Sequence, residues 1–587
     1  MNLWHLWDCR LAAEQCIIWP EMESNTLYYG DNLPVLRDRE HFPDACIDLI
    51  YLDPPFNSNR SYNVLFKETA GAGSPAQIEA FEDTWHWSPS AQAAFEEVAL
   101  HGSDDTARLL KATVDALGHN DVTAYLCMMA VRLIELRRVL KPTGTIWLHC
   151  DPTASHYLKV LMDSIFGPNR FLNEVVWKRT SAHSDTKQGM RRCGKIHDLL
   201  LVYRRAEVNT WNPVYTPYAG MYLDSEYRHV AQDGRRYKET DLTAAKPGGD
   251  TNYVWRVKRP AQRGVRWEAD LGDEYLAPQP GTIYDGVTPY KGRYWAYSKE
   301  NLIDFARRGE LIHRETGMPR LMQFADAMPG TALQDLWDDI VPVAGHEVLG
   351  YKTQKPLALL ERIIGVASNP DDVVLDPFCG CGTAVHAAQK LGRRWLGIDI
   401  TFLAIGLVER RLRDAFPGIS IHEVGVPADL PGAEALAAHD PYQFQFWAID
   451  RLGAQPVSGQ HKRGADRGID GVIPFVEGAT NLQRVIVSVK AGHIEPAYVQ
   501  QLKGVMEGQG VPMGVLVTLR EPTRAMRTEA VSAGSYHSDF WNRDYPRIQL
   551  ITASELLAGK RVEMPPQVSP FSQAAREAER GEQTSLI

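Results

Sequence analysis

Two apolar runs that end in proline- or glycine-rich turns constrain this chain more than any other feature. Ile47 to Leu52 (IDLIYL) runs into Asp53-Pro54-Pro55-Phe56, and Val373 to Leu375 runs into Asp376-Pro377-Phe378-Cys379-Gly380-Cys381-Gly382-Thr383. Mostly apolar runs, interrupted here only by Asp48, suit strands that are covered on both faces. Material of helical period follows each run, and a third, Trp395 to Ile398, ends at Asp399. Short strands alternating with helices predict an α/β fold built on a parallel, doubly wound sheet.

The chain is 587 residues long, too long for one ordinary core, so two or three domains are expected. With 44% apolar and 23% charged residues it has the mix of a soluble globular protein. A net charge of −10 excludes a wholly basic nucleic-acid coat. It does not exclude nucleic acid as a substrate, because what counts there is a local basic face. No window reaches the roughly 18 consecutive apolar residues of a membrane span. The apolar N-terminus is interrupted by Asp8, Arg10 and Glu14 too early for a signal peptide, and Met22 offers an alternative start, which leaves the standing of residues 1–21 open. The eight cysteines form no CxxC pair, and Cys379 and Cys381 are too close in sequence to share a tetrahedral metal well. These features predict a reduced, cytoplasmic protein without structural zinc and without a membrane partner.

Along the chain, Leu126 to Leu140 reads as a helix stopped by Lys141-Pro142-Thr143-Gly144 before a strand at Thr145 to His149. A helix from Asp151 to Phe166 and strands at Glu174 to Lys178 and Asp198 to Tyr203 follow. From about Trp211 to Val341 helical period fades and Gly, Pro, Trp, Tyr and Arg dominate, as in an inserted, loop-rich domain. Glu226 to Trp267 is locally basic, with ten Lys/Arg against five Asp/Glu. A further boundary falls near Val426 to Asp440. The predicted domains are 22–210, 211–341, 342–425 and 440–556, with a polar, disordered tail at 565–587.

The Asp376–Thr383 turn resembles the FxGxG motif of class I S-adenosylmethionine methyltransferases. Gly380 and Gly382 would let the turn pass against the methionine end of the cofactor, where a Cβ would clash. Asp399, 17 residues beyond Gly382, sits where a carboxylate can accept both ribose hydroxyls. The turn lacks the Lys-Ser/Thr ending of a phosphate-binding loop, and Asp376 places a carboxylate beside the ammonium and sulfonium charges. Upstream, Tyr351-Lys352-Thr353-Gln354-Lys355-Pro356 resembles the TQKP segment of DNA amino-methyltransferases. The resemblance implies that Thr353, Lys355, Asp376, Phe378, Gly380, Gly382, Thr383 and Asp399 hold S-adenosylmethionine.

Asp53-Pro54-Pro55-Phe56 resembles the (D/N/S)PP(Y/F) motif of enzymes that methylate exocyclic amines of bases. Such a nitrogen is a poor nucleophile because its lone pair is conjugated into the ring. Asp53 and the Pro54 carbonyl would accept its two N–H groups and favour the sp³-like nitrogen needed for attack, while the paired prolines stiffen the turn. Phe56 would stack on a base swung out of the duplex. Neither a metal nor a covalent intermediate is required. Tyr28-Tyr29-Gly30-Asp31 reads as the end of a preceding strand, with Asp31 at the cofactor adenine.

The order of parts, with the catalytic motif first, then the insert, then TQKP and FxGxG, resembles the circularly permuted β class of DNA amino-methyltransferases. The resemblance covers roughly Thr26 to Leu412, including LKPTGTIWLHCDPTASHYLKVLMDSIFG and KIHDLLLVYRR. It implies a class I methyltransferase sheet, a target-recognition insert and double-stranded DNA as partner, with a restriction subunit or a second copy as further candidates. Tyr253, Trp255 and Trp267 among the arginines of the insert suit phosphate and base contacts or, equally, a small aromatic core. Asp rather than Ser at the head of the motif favours adenine N6 over cytosine N4, and both remain open.

Beyond the boundary, Gly464-Ala465-Asp466-Arg467-Gly468-Ile469-Asp470-Gly471 and the strand Val485 to Lys490 resemble the Mrr-like branch of PD-(D/E)xK nucleases. This implies a smaller restriction-endonuclease-like α/β domain in which Asp470 and Lys490 fill the metal and catalytic slots, with Gln501 on the following helix. Ser488 stands where an acidic residue or Gln is usual, and Gln445 where a Glu often sits. A hydroxyl and an amide make a poor Mg²⁺ site, because hard cations favour carboxylates. A methyltransferase that also cuts DNA with Mg²⁺, and a degenerate domain kept for DNA binding or docking, are both expectations to be tested.

Overall fold

The computed structural model describes residues 25–55, 87–180, 191, 193–262, 264–272, 279–344, 347, 354–457, 468–477 and 482–566. Phe56, Thr353 and the expected tail lie outside these residues. Contacts divide the chain into two compact units, one holding Pro213–Gln334 and the other the chain before and after it.

The larger unit is built on a nine-stranded sheet. Its strands are β1 (Thr26–Tyr29), β2 (Ile47–Leu52), β3 (Leu140–Cys150), β4 (Phe171–Lys178), β5 (His197–Arg204), β6 (Leu336–Trp337), β7 (Val373–Asp376), β8 (Arg394–Asp399) and β9 (His422–Val424). The spatial order is β6-β4-β5-β3-β2-β7-β8-β1-β9. Neighbours run parallel except at β5, which is antiparallel to both β3 and β4. β2 is buried at all six positions and β7 at all four, as parallel strands covered on both faces must be. At the centre β2 pairs with β7 through Leu49↔Val374 and Ile50↔Leu375, so the turns after Leu52 and after Asp376 emerge side by side.

Helices pack on both faces: α1 (Asn32–Arg37), α2 (Asp121–Val139), α3 (Leu357–Ala367), α4 (Thr383–Lys390) and α5 (Phe402–Ala415). α2 begins before the expected Leu126, because Asn120 and Thr123 form a reciprocal capping box there. β3 likewise starts at Leu140 and takes in Lys141–Gly144, expected as a break. The Lys141 ammonium holds both carboxylate oxygens of Asp48 at 2.8–2.9 Å, and a Cβ at Gly144 would lie 2.8 Å from the Asp48 carbonyl oxygen. The chain therefore turns directly from helix into strand, and the β2–β3 register shifts between Ile47 and Leu49. The helix expected from Asp151 starts at Ser155, because Asp151 Oδ1 accepts the Thr153 and Ala154 N–H groups in a turn.

In the same unit a second sheet runs β10 (Gln455–Pro456), β11 (Gly471–Val476), β12 (Leu482–Lys490), β13 (Met513–Thr518) and β14 (Ile548–Thr552) in that spatial order. It is antiparallel as far as β12 and parallel beyond. Helix α6 (Pro441–Arg451) covers it. Leu430–His439, expected as a boundary, is instead a helix whose Ala433 and Ala437 are buried in this core.

The unit Pro213–Gln334 is less loop-rich than expected. It holds a four-stranded and a three-stranded sheet and the helices Gly220–Glu226 and Lys299–Arg307. Leu242, Trp255, Val257, Trp267, Trp295, Leu302 and Met318 form its core. Trp255 and Trp267 are therefore core residues: Trp255 donates to His313 Nε2 at 3.1 Å and Trp267 to the Glu315 carbonyl at 2.9 Å. Tyr253 is half-buried and its hydroxyl donates to the Tyr297 carbonyl.

Candidate active site

A cavity of about 160 Å³ opens at the carboxyl ends of β1, β2, β7 and β8, the place where doubly wound sheets bind ligands. Each strand contributes the residues just past its end: Gly30, Asp31 and Asn32; Asp53 and Pro55; Pro377 to Cys381 with Thr383; and Asp399 with Ile400. Lys355 and Leu360 complete one wall, and Met128 and Arg132 of α2 another.

Asp53 forms an ion pair through Oδ2 with Lys355 Nζ, both side chains nearly buried. Its other oxygen, Oδ1, is buried and has no hydrogen-bond partner among the described residues. A buried carboxylate oxygen left in that state awaits a donor. Pro54 is buried and Pro55 lines the cavity. Lys355, expected at the cofactor, thus reaches Asp53.

The two glycines of the turn after β7 do different things. Gly380 lines the cavity at φ +49° and donates its N–H to Asp399 Oδ2 at 2.9 Å. Gly382 lies outside the lining, at φ +73°, and a Cβ there would meet Val408 Cγ2 at 2.7 Å. It lets α5 approach the turn, a packing role that the sequence reading did not foresee. Buried Arg411 binds the same turn through the Cys381 carbonyl and Thr383 Oγ1.

Asp376 is buried and accepts the Phe378 N–H at 3.1 Å. Burial holds its carboxyl well above the usual range; the Phe378 bond opposes this, and the neighbouring Asp53 and Asp399 add to it. Asp399 accepts from Gly380 N on one oxygen and from Thr401 N and Oγ1 on the other. Burial still pushes its pKa up to about 6, against those hydrogen bonds. Burial also raises the Cys379 and Cys381 thiols, so neither is a ready nucleophile. Four carboxylates (Asp31, Asp53, Asp376, Asp399) thus face two cations, Lys355 and Arg132. Such a cavity favours a ligand bearing net positive charge.

Several contributors lay outside the sequence reading. Arg132 is buried on the inward face of α2, donating to Asp31 Oδ1, Asn32 Oδ1 and the Met128 carbonyl at 2.7–2.9 Å. Asn32 in turn donates to the Pro377 carbonyl at 2.8 Å, tying α1 to the glycine-rich turn. A lone Arg inside the apolar run Tyr125 to Leu133 was the available signal. Behind Asp53, the Tyr51 hydroxyl lies 3.0 Å from His149 Nδ1, and His149 Nε2 lies 3.3 Å from Asp198 Oδ2.

In the C-terminal sheet, Asp470 Oδ2 accepts the Val489 N–H at 2.6 Å, Ser488 is buried, and Lys490 lies over the Tyr498 ring at 5.2 Å. Among the described residues no group of three or more His, Cys, Asp or Glu side chains is placed to hold a metal. Asp470, Ser488 and Lys490 offer one carboxylate, already bonded to backbone, and do not fit a Mg²⁺ site.

The sheet, its strand-end cavity and the two motif turns make a methyltransferase-like α/β fold. The chain belongs to the DNA methylase family of N6/N4 methyltransferases, whose model matches residues 47–402. Residues 443–558 match the model described as NACHT-associated inactive restriction endonuclease 1. The Type II methyltransferase M.EcaI of Enterobacter cloacae is 31% identical over 291 residues, 49% of this chain and 57% of that protein. The Type III restriction-modification enzyme StyLTI Mod subunit of Salmonella typhimurium is 26% identical over 398 residues, 64% of this chain and 53% of that one. The chain thus spans little more than half the length of these curated relatives. A Thermus thermophilus protein described as a putative DNA modification methylase, solved with S-adenosyl-L-methionine, aligns at 16% identity and a TM-score of 0.31, covering 68% of this chain and 99% of that one.

Proposed function

We propose that this protein is an S-adenosylmethionine-dependent DNA methyltransferase that modifies the exocyclic N6 amine of an adenine flipped out of duplex DNA. The observation that carries this reading is the unpartnered Asp53 Oδ1, buried in the same cavity as the glycine-rich turn and Asp399. S-adenosylmethionine, when bound, supplies an electrophilic methyl group. Asp376 and Asp399 favour its positive charge and ribose hydroxyls, Gly380 and Phe378 form the wall beside it, and Asp31 with Arg132 closes the far end. Asp53 Oδ1 accepts an N–H of the incoming amine and directs the nitrogen lone pair at the methyl group; Lys355 keeps the other oxygen in place. Thr353 and Phe56 belong to the same reading by their motifs.

The β-class permuted order is supported by β1, which opens the described chain yet lies between β8 and β9 in the sheet. The relatives named as Mod subunits support a restriction–modification setting and a restriction subunit as partner, and Asp53 at the head of its motif favours adenine as the base. Cytosine N4 is the second reading, since the matched family covers both amines. Cleavage by the C-terminal domain finds no support in its donor set or in the inactive family it matches.

The test is transfer of a labelled methyl group from S-adenosylmethionine to unmodified duplex DNA, followed by nucleoside analysis. N6-methyladenine is expected. N4-methylcytosine would replace the base assignment, and no transfer to DNA by protein that binds the cofactor would overturn the substrate.

A further inference from the structure

Helix α5, which leads away from Asp399, is shared between the methyltransferase sheet and the C-terminal body of the same compact unit. A helix N-terminus leaves backbone N–H groups without intrahelical partners. At α5, the N–H of Phe402 donates at 3.3 Å to Oε1 of Gln443, a buried residue of α6. The Phe402 ring stacks on Tyr29 with centroids 3.6 Å apart, and it is part of the C-terminal core with Phe444 and Trp447. One turn further on, Gly406 faces Asp450 of α6: a Cβ there would lie 1.9 Å from Asp450 Oδ1, so any larger residue would have to displace that carboxylate. Asp450 also accepts from Arg410 at 2.8 Å, and Arg451 of α6 holds Glu423 of β9 at 2.9 Å.

These contacts bear on the part of α5 that sets the cavity. Thr401 caps α5 and donates both N–H and Oγ1 to Asp399 Oδ1, while Gly30, just past Tyr29, donates to the Asp399 carbonyl at 2.9 Å. The turn carrying Asp399 is therefore held between its own strand and a helix end that the C-terminal body completes.

We propose that the inactive nuclease-like body is a positioning element of the cofactor cavity, with Gln443 as the residue that fixes the Asp399 turn. The inference rests on the cavity binding S-adenosylmethionine. It gives the C-terminal body a role in methyl transfer that needs no DNA cleavage.

The experiment uses the full chain and titrates S-adenosylmethionine calorimetrically into wild type, Gln443→Leu, Gln443→Glu and Val515→Ala. Leaving one buried N–H unpaired should weaken binding about five- to thirtyfold in Gln443→Leu. The KM for S-adenosylmethionine should rise with it and the KM for DNA should not. Gln443→Glu keeps an acceptor at the same reach and should restore affinity. Val515→Ala, deep in β13, should lower Tm without weakening binding. If Gln443→Leu does not fold, the isosteric Asp450→Asn loosens the same crossing and should shift affinity in the same direction. Unchanged affinity in Gln443→Leu, or weakening that merely tracks Tm across all variants, overturns the inference alone. A wild type that binds no S-adenosylmethionine overturns the functional reading and this inference together.

Discussion

Asp399 makes the cofactor affinity of this cavity pH-dependent in a calculable way. Its carboxyl lies in the cavity wall and titrates at about 6. A cationic ligand with ribose hydroxyls binds the ionised form, so binding below pH 6 must first expel a proton. The ionised fraction falls from about nine-tenths at pH 7 to about one-tenth at pH 5, which weakens binding about tenfold over that interval. The amino and carboxyl groups of the ligand titrate outside this window. Calorimetry in buffers of different ionisation enthalpy reads both the affinity and the released proton. Asp399→Asn should bind weakly and without this pH dependence. Stability runs the opposite way in the free protein. A carboxyl raised from 3.8 to about 6 binds its proton more tightly when folded, so its contribution favours the fold as pH falls from about 6 to 4 and costs about 3 kcal/mol at pH 7. The ligand should therefore raise Tm more at pH 7 than at pH 5. An affinity constant within twofold between pH 5 and pH 7 would refute the reasoning.

Asp53→Ala should lower methyl transfer at least about 100-fold while cofactor affinity stays within about threefold, because it removes the amine acceptor and leaves the other carboxylates; loss of cofactor binding instead would move Asp53 out of the amine-orienting role. Gly382→Ala should destabilise by about 2–5 kcal/mol through its left-handed backbone and the contact with Val408. In denaturant unfolding Val408→Ala should recover part of that loss, and strict additivity would show that the contact is not the cause. Incubated with Mg²⁺, the full chain should leave duplex DNA intact whatever its methylation state; nicking abolished by Asp470→Ala would reverse the account of the C-terminal domain.

The elements that carry the site were legible because buried parallel strands leave a blunt signature. IDLIYL, interrupted only by Asp48, and VVL are apolar runs, and the residues that follow them, Asp-Pro-Pro and Gly-x-Gly, are chosen by turn geometry as much as by chemistry. The pairing of β2 with β7, which joins the two turns, is set by a register that no local pattern encodes. Side-chain partnerships across long stretches were not legible: Arg132 with Asn32, and Lys355 with Asp53, are fixed only once the sheet is assembled. Gly382 illustrates a single residue type with two uses, since approach to a ligand and approach to a helix both demand a missing Cβ. Trp255 and Trp267 sit among arginines in sequence yet face inward, because alternation in a short strand cannot tell a core face from a binding face without its partners. The crossing of α5 and α6 at Gly406 was equally hidden, as a glycine inside a helix carries no record of what it faces.

The central claim is methylation of DNA by the cavity that holds Asp53. The most direct test expresses the wild type and Asp53→Ala in a bacterial host free of DNA methylation and reads the host genome by modification-sensitive long-read sequencing. The predicted result is N6-methyladenine at one sequence motif with the wild type and none with the variant. Unmodified DNA from soluble wild type that binds S-adenosylmethionine, or the same modified motif from Asp53→Ala, would contradict it.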